Sequence, residues 1–515
     1  MRRGITGRIG TNRAITIRIA GVTLTSAAIA VAAIGGATAA QASNGHHQWA
    51  VVGPTTTSTG NNTPLDLADT ESVIGADTSW ANGDSGQGID VAVLDSGVTP
   101  VQGLNTPNKV VYGPDLSFDS QDPSTAYLDG FGHGTAMAGL IAGDDGTPGG
   151  FEGVAPDARI VSVKVGASNG AVDVSQIIAG IDWVTQHAQS NGLNIRVLNL
   201  SLGTDSLQPY QLDPLAHAAE VAWRHGIVVV AAAGNDGADA TSLSDPATDP
   251  YLIAVGASDS NGTLNPSDDV VADFSSVGNA ARHPDLVAPG AYITSLLDPG
   301  SYLATTYPAA QIGTRFFRGS GTSQATALTS GAVADLLSSN PNLTPDQLKA
   351  ALVKSAQSIG TSSKYAVGAG LLDIPGAEKQ NASKKPQAFL PSLGIGSLEA
   401  ARGDAHVSDG GVELTGEQDI FGNPWNARTP LLEELGRSWS AGNWNGGTWT
   451  GTDFTPTTFD GSSWYGSTWS GSTWSGSTWS GSSWYGSTWS GSTWSGSTWS
   501  GSSWYGSSWY GDTWS

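Results

Sequence analysis

Residues 89–97 read Ile89-Asp90-Val91-Ala92-Val93-Leu94-Asp95-Ser96-Gly97. A nearly unbroken apolar run ends in a carboxylate, and a Ser-Gly turn follows. Such a run suits a strand buried on both faces, as in a parallel sheet covered by helices from either side. The same texture returns in Arg159-Ile160-Val161-Ser162-Val163-Lys164-Val165 and in Ile195-Arg196-Val197-Leu198-Asn199-Leu200. It returns again in Ile227-Val228-Val229-Val230 and Leu252-Ile253-Ala254-Val255. Helical spacing lies between these runs. Residues 174–187 carry Ile177, Ile178, Ile181 and Val184 on one face. Residues 215–224 form a second helix, with Gly226 where a C-cap glycine belongs. Strand and helix alternate, so the expected fold is α/β: a three-layer sandwich with a mostly parallel central sheet, over residues 76–378.

The end of the first strand is also where chemistry is expected. At the carboxyl edge of a parallel sheet, Asp95 stands where α/β folds build their sites. Read alone it is an ordinary turn aspartate. Gly132-His133-Gly134-Thr135-Ala136-Met137-Ala138-Gly139 sets a histidine among small residues at a helix start, where other backbone can come close. Gly319-Ser320-Gly321-Thr322-Ser323-Gln324-Ala325-Thr326-Ala327 leads glycine-rich backbone into another helix. A serine there sits in positive potential beside free N–H groups that can hold an oxyanion. Its bland role is that of an N-cap. Ala231-Ala232-Ala233-Gly234-Asn235 follows an apolar strand, and Asn235 offers a side-chain N–H to the same oxyanion.

Asp, His, Asn and Ser occur in that order, each at a strand end or a helix start. The set resembles the subtilisin family of serine peptidases, through Asp95-Ser96-Gly97, His133-Gly134-Thr135, Leu200-Ser201-Leu202-Gly203, Ala233-Gly234-Asn235 and Gly321-Thr322-Ser323. The resemblance covers residues ~76–378. It implies Ser323 as nucleophile, His133 as base and then acid, and Asp95 as the group that orients His133. Asn235 would hold the oxyanion. Ser201, Leu202 and Gly203 would pair with an extended substrate, and Ala232, Ala233 and Gly234 would wall the primary specificity pocket. Two positions depart from the pattern: Gln324 stands where the family usually has Met, and Ala327 where it usually has Pro. Asp245 is expected to favour basic substrate side chains. Relatives often bind calcium, so structural calcium is an option, although no compact Asp-rich loop assigns a site. No cofactor is expected, and the metal ligands are none.

Outward from this core the texture changes. The chain has 515 residues, with 45 acidic against 22 basic, a net charge of −23. So acidic a surface repels phosphate backbones, and nucleic acid is excluded as a partner. Protein or peptide substrates and a monomeric state are expected. Cysteine is absent, which excludes disulfides, thiolate metal sites and a Cys nucleophile. Arg2, Arg3, Arg8, Arg13 and Arg18 precede an apolar stretch at 19–34 and two small-residue sites, Ala37-Thr38-Ala39 and Ala40-Gln41-Ala42. That order predicts a signal peptide over 1–42 and a secreted, extracellular or envelope-associated protein. A polar leader follows at 43–75. Residues 379–437 read as a linker, and Arg402-Gly403-Asp404 within it reads like an adhesion tripeptide.

Residues 438–515 are a tail of Gly-Ser-Thr-Trp-Ser type repeats, holding 14 of the 19 Trp. A period of five fits neither a strand, where it alternates faces, nor a helix, where it turns by roughly 500°. A solenoid with one side per repeat and a flexible aromatic-beaded chain remain, and the composition favours the flexible chain. Exposed Trp in such number implies a contact, with cell-wall polysaccharide as the expected partner. The alternative to an endopeptidase is therefore a catalytically inactive surface protein that acts through this tail by wall binding or self-association.

Overall fold

The computed structural model describes residues 64–445, apart from 122–124, 361–362, 382, 384, 404, 410–411, 421–422, 427 and 441–442, together with backbone strands between 458 and 510. The expected signal peptide and most of the leader lie outside the described residues.

Two helices open the described chain, α1 (Leu67–Ile74) and α2 (Ala76–Asn82), and Ile74 and Ala76 join the main core. The central sheet is built from β1 (Asp90–Asp95), β2 (Val110–Asp115), β3 (Arg159–Lys164), β4 (Ile195–Leu200), β5 (Val228–Ala232), β6 (Ile253–Asp259), β7 (Val270–Val271) and β8 (Leu286–Pro289). Its order is β2-β3-β1-β4-β5-β6-β7, with β8 beside β6, and every pairing is parallel except β6 with β7. The strand order reverses at β1. From there the chain first builds outward through β2 and β3, then crosses to β4 on the other side. The carboxyl ends at such a reversal open a crevice. Asp95 is the last residue of β1.

Helices α3 (His133–Ala142), α4 (Val174–His187) and α5 (Pro214–Arg224) follow β2, β3 and β4. Asp173 and Gln176 make a capping box at the start of α4, and Asp213 caps α5 ahead of Pro214. A small antiparallel sheet of β9 (Ile293–Leu296), β10 (Gln311–Ile312) and β11 (Phe316–Gly319), with short α6 (Tyr302–Thr306), leads into α7 (Thr322–Ser339). This last helix is buried on every side from 322 to 337 and packs against α3 and under β4, β5, β6 and β8. A helix covered all round belongs to a core, not a surface. It runs unbroken through Ala327, the position where proline was expected. Then comes α8 (Pro345–Ser355), with a Thr344–Gln347 capping box.

The stretch expected to be a linker is packed instead. Leu398, Ala401, Trp425 and Trp444 belong to the main core, and the short helix Arg428–Glu434 packs on α5. Arg402 is fully buried, and its Nε donates to Asp173 at 2.6 Å. An adhesion tripeptide needs an exposed arginine, so the chance-level match at 402–404 has no such role. The physical reason is that the outer faces of α4 and α5 carry Asp173, Asp182, His217 and Glu220, which need partners once covered. Residues 386–445 form a strap that supplies them.

In the tail, described strands pair in parallel with strands twenty residues on: Tyr465 with Tyr485, Trp474 with Trp494, Trp484 with Trp504. Twenty residues are four pentapeptides, so these pairings set like positions of the repeat side by side.

Candidate active site

Asp95 leaves β1 fully buried and meets His133, the first residue of α3. The imidazole Nδ1 lies 2.9 Å from Asp95 Oδ1 and 3.0 Å from Oδ2. The Ser96 N–H donates to Asp95 Oδ1 at 2.7 Å. Gly134 lets α3 come this close, because a Cβ there would sit 2.1 Å from the Gly97 carbonyl. A carboxylate fixed against Nδ1 holds the proton on that nitrogen and leaves Nε2 as the base.

Ser323 is the second residue of α7, at the positive end of an 18-residue helix. Its Oγ donates to the Ser201 carbonyl at 2.9 Å, and Ser201 Oγ donates back to the Ser323 carbonyl at 3.0 Å. Asn235 Oδ1 accepts from Thr322 N at 2.9 Å and from Thr322 Oγ1 at 3.1 Å. The amide is thereby clamped to the start of α7 by its oxygen, and its Nδ2 is the end left for an oxyanion.

Ser201, Leu202 and Gly203 continue β4, and Ala232, Ala233 and Gly234 end β5 and run on beyond it. The two segments are laced together. Ser244 N donates to the Ala233 carbonyl at 3.0 Å, and Thr204 and Asp245 exchange backbone hydrogen bonds of 3.0 and 2.8 Å. Gly234, at φ +107°, cannot carry a side chain, since Ser244 Oγ would stand 2.5 Å from its Cβ. Asp245 is buried, and its Oδ1 accepts from Thr248 Oγ1. Burial, and next the charge of Asp213, push its carboxyl far up. Asp145 is likewise engaged, with Arg315 at 2.7 Å.

Sequence reasoning missed four side chains. Ser96 and Asp129 stand behind Asp95; an aspartate four residues ahead of a helix-opening histidine is the kind of cap signal that finds Asp129. Arg282 and Lys349 hold the 247–252 loop. Arg282 donates to the carbonyls of Ala247, Asp249 and Leu252, and Lys349 to those of Pro250 and Leu252, with Asp285 3.0 Å from Nζ. These side-chain cations supply the positive charge where carbonyls and a carboxylate converge. Among the described residues no group of three or more His, Asp or Glu is placed to hold a metal ion.

Residues 86–384 match the Subtilase family of S8 peptidases. The chain belongs to that family. It is similar to serine protease AprX of Bacillus subtilis (strain 168), 36% identical over 57% of this chain and 67% of that protein. It is similar to subtilisin DY of Bacillus licheniformis, 36% identical over 59% of this chain and 96% of the relative. A crystal structure of fervidolysin from Fervidobacterium pennivorans matches at 30% identity and a TM-score of 0.49, over 61% of this chain and 46% of that one. The subtilase chain described here is a serine endopeptidase, and its substrates are proteins or peptides. Its family match ends at 384, so the strap and the tail both lie beyond it.

Proposed function

We propose that Asp95, His133 and Ser323 are the catalytic triad of a secreted endopeptidase that works through an acyl-enzyme. The observation that carries this reading is the buried Asp95–His133 pair, with Nδ1 within 3.0 Å of both carboxylate oxygens. Ser323 Oγ turns from the Ser201 carbonyl toward His133 Nε2, gives up its proton there and attacks the scissile carbonyl carbon. The carbonyl oxygen becomes an oxyanion, held by Asn235 Nδ2 and the Ser323 N–H. His133, now cationic and stabilised by Asp95, delivers the proton to the departing amine. Water then enters, loses a proton to His133 and attacks the acyl carbon, and His133 returns that proton to Ser323 Oγ as the acid leaves. Ser201, Leu202 and Gly203 pair with the extended substrate by β-augmentation, and Ala232, Ala233 and Gly234 wall the primary pocket.

The test is labelling of the purified full chain with a fluorophosphonate probe, read by mass spectrometry. Labelling at Ser323 alone, lost in Ser323→Ala with about a 10⁶-fold fall in turnover, is expected, a magnitude taken from subtilisin itself. Folded protein that does not label overturns the reading.

Secretion rests on the basic, apolar and small-residue order of residues 1–42. Among the described residues, no helix is long and apolar enough to cross a membrane. The tail is proposed to retain the enzyme on cell-wall polysaccharide through its many Trp. Deletion of 446–515 that left polymer binding unchanged would end that role.

A further inference from the structure

Behind the Asp95–His133 pair lies a second buried carboxylate to which none of the reaction steps assigns a task. Asp129 is fully buried. Its Oδ1 accepts from Ser96 Oγ at 2.7 Å and from Gly132 N at 2.7 Å, and its Oδ2 accepts from Thr135 N at 2.7 Å. Gly132 precedes α3 and has no side chain to cap it, so Asp129 caps that helix from three residues upstream. Its own N–H donates to Thr99 Oγ1 at 3.1 Å, and Thr99 N donates to Thr135 Oγ1 at 3.0 Å. One residue therefore bolts the turn after β1 to the first turn of α3, the two pieces that carry Asp95 and His133.

The contact through Ser96 is more than a bolt. A serine hydroxyl has one proton to give. Ser96 Oγ stands 2.7 Å from Asp129 but 3.2 Å from Asp95 Oδ1, and it accepts the Gly134 N–H at 3.0 Å. The shorter bond takes the proton. Asp95 then keeps only the Ser96 N–H and the imidazole as close donors, and its charge is less quenched than three donors would leave it.

We propose that Asp129 is a positioning residue for the peptidase reaction: by capping α3 and drawing the Ser96 hydroxyl to itself, it aligns His133 and keeps the Asp95 carboxylate available to the imidazole. This rests on the triad reading above. Burial pushes the Asp129 carboxyl up; the Thr135, Gly132 and Ser96 donors oppose that, and the Asp95 charge adds to it. The neighbouring titratable groups are Asp95, His133 and Asp298. Asp298 accepts from Thr99 Oγ1 at 2.8 Å and is pushed up to about 7 by burial and the Asp129 charge, with Thr99 and Lys164 acting the other way.

A helix cap without electrical consequence would cost stability when removed, and nothing else. The test therefore compares pH profiles of kcat/KM on a peptide substrate for the full chain, Asp129→Asn and Asp129→Ser. Active enzyme is counted by fluorophosphonate labelling of Ser323. Both variants are expected to label, to lose about tenfold in kcat/KM and to move the acid limb down by about half a pH unit, because a buried negative charge near the base is gone. Asp129→Ser keeps a short capping acceptor, so a serine variant with the parent limb and rate makes Asp129 a cap only and overturns the proposal. Ser96→Ala reads the same network with the Gly132 and Thr135 bonds of Asp129 intact. Its acid limb should stay within about 0.2 unit; an upward move of about half a unit would put the Ser96 proton on Asp95 and overturn the proposal. If the parent itself fails to label, the triad reading falls instead, and the two failures are distinct.

Discussion

Two regions of this molecule bury carboxylates, and they do so in opposite ways. At the end of β1, Asp95 and Asp129 are surrounded by N–H and O–H donors. Under the strap, carboxyls face one another. Asp249 lies beside Glu220, and burial with the Glu220 charge pushes Asp249 up to about 8. Asp182 is pushed up to about 7 by burial, against the Trp444 indole N–H that donates to it at 2.7 Å. Glu433 is raised by burial and by the Asp182 charge. The first region surrounds its carboxylates with donors, and the second sets carboxyls against one another. The difference follows from what each needs: a stable negative charge beside an imidazole that must become cationic, against a covered helix face with no reaction to serve.

One carboxylate under the strap breaks this rule. Asp173 caps α4 and is paired with the fully buried Arg402. Arg402→Ala leaves Asp173 buried without its cation, and an unpaired buried charge costs about 3–5 kcal/mol. Urea unfolding in a Ser323→Ala background, which prevents self-digestion, should show a loss of that size. A change below about 1 kcal/mol would mean that the strap does not hold α4 in solution, and the contrast between the regions would collapse.

A smaller effect sharpens the comparison. A carboxyl whose pKa is raised on folding keeps its proton where the unfolded chain has lost it. Its contribution to stability is complete below about pH 4 and is lost as pH rises through about 8. Asp249→Asn removes that dependence and keeps an oxygen for the Tyr251 N–H, which Asp249 now accepts at 2.8 Å. Near pH 4 the two should agree, and the variant's advantage should grow by about 1.4 kcal/mol per pH unit until it levels off near pH 8. Equal curves from pH 5 to 9 would mean that Glu220 and Asp249 do not share a proton.

The sheet was readable from its apolar runs because strands buried on both faces leave no polar alternation to confuse. Ile195–Leu200 and Val174–His187 are found at their expected bounds and the other four expected strands within a few residues, while β2, β7 and β8 were not foreseen. The strap was unreadable for the converse reason. Leu398, Ala401, Trp425 and Trp444 are scattered among glycines, prolines and acids, with neither period 2 nor period 3.6. Glu220 and Asp182 look like solvent charges until something covers them.

What the sequence determined by itself is local: where apolar runs make strands, where caps start helices, and which side chains stand at strand ends and helix starts. That was enough to nominate Asp95, His133, Asn235 and Ser323. Tertiary structure alone decided which carboxylates meet donors and which meet rival charges. It placed Ser96 between Asp95 and Asp129, gave Arg402 to Asp173, and buried Asp245. Propensity and periodicity depend on neighbours along the chain. The ionisation of a buried group depends on how many donors or rival charges reach it through space, and those come from residues as far apart as 173 and 402.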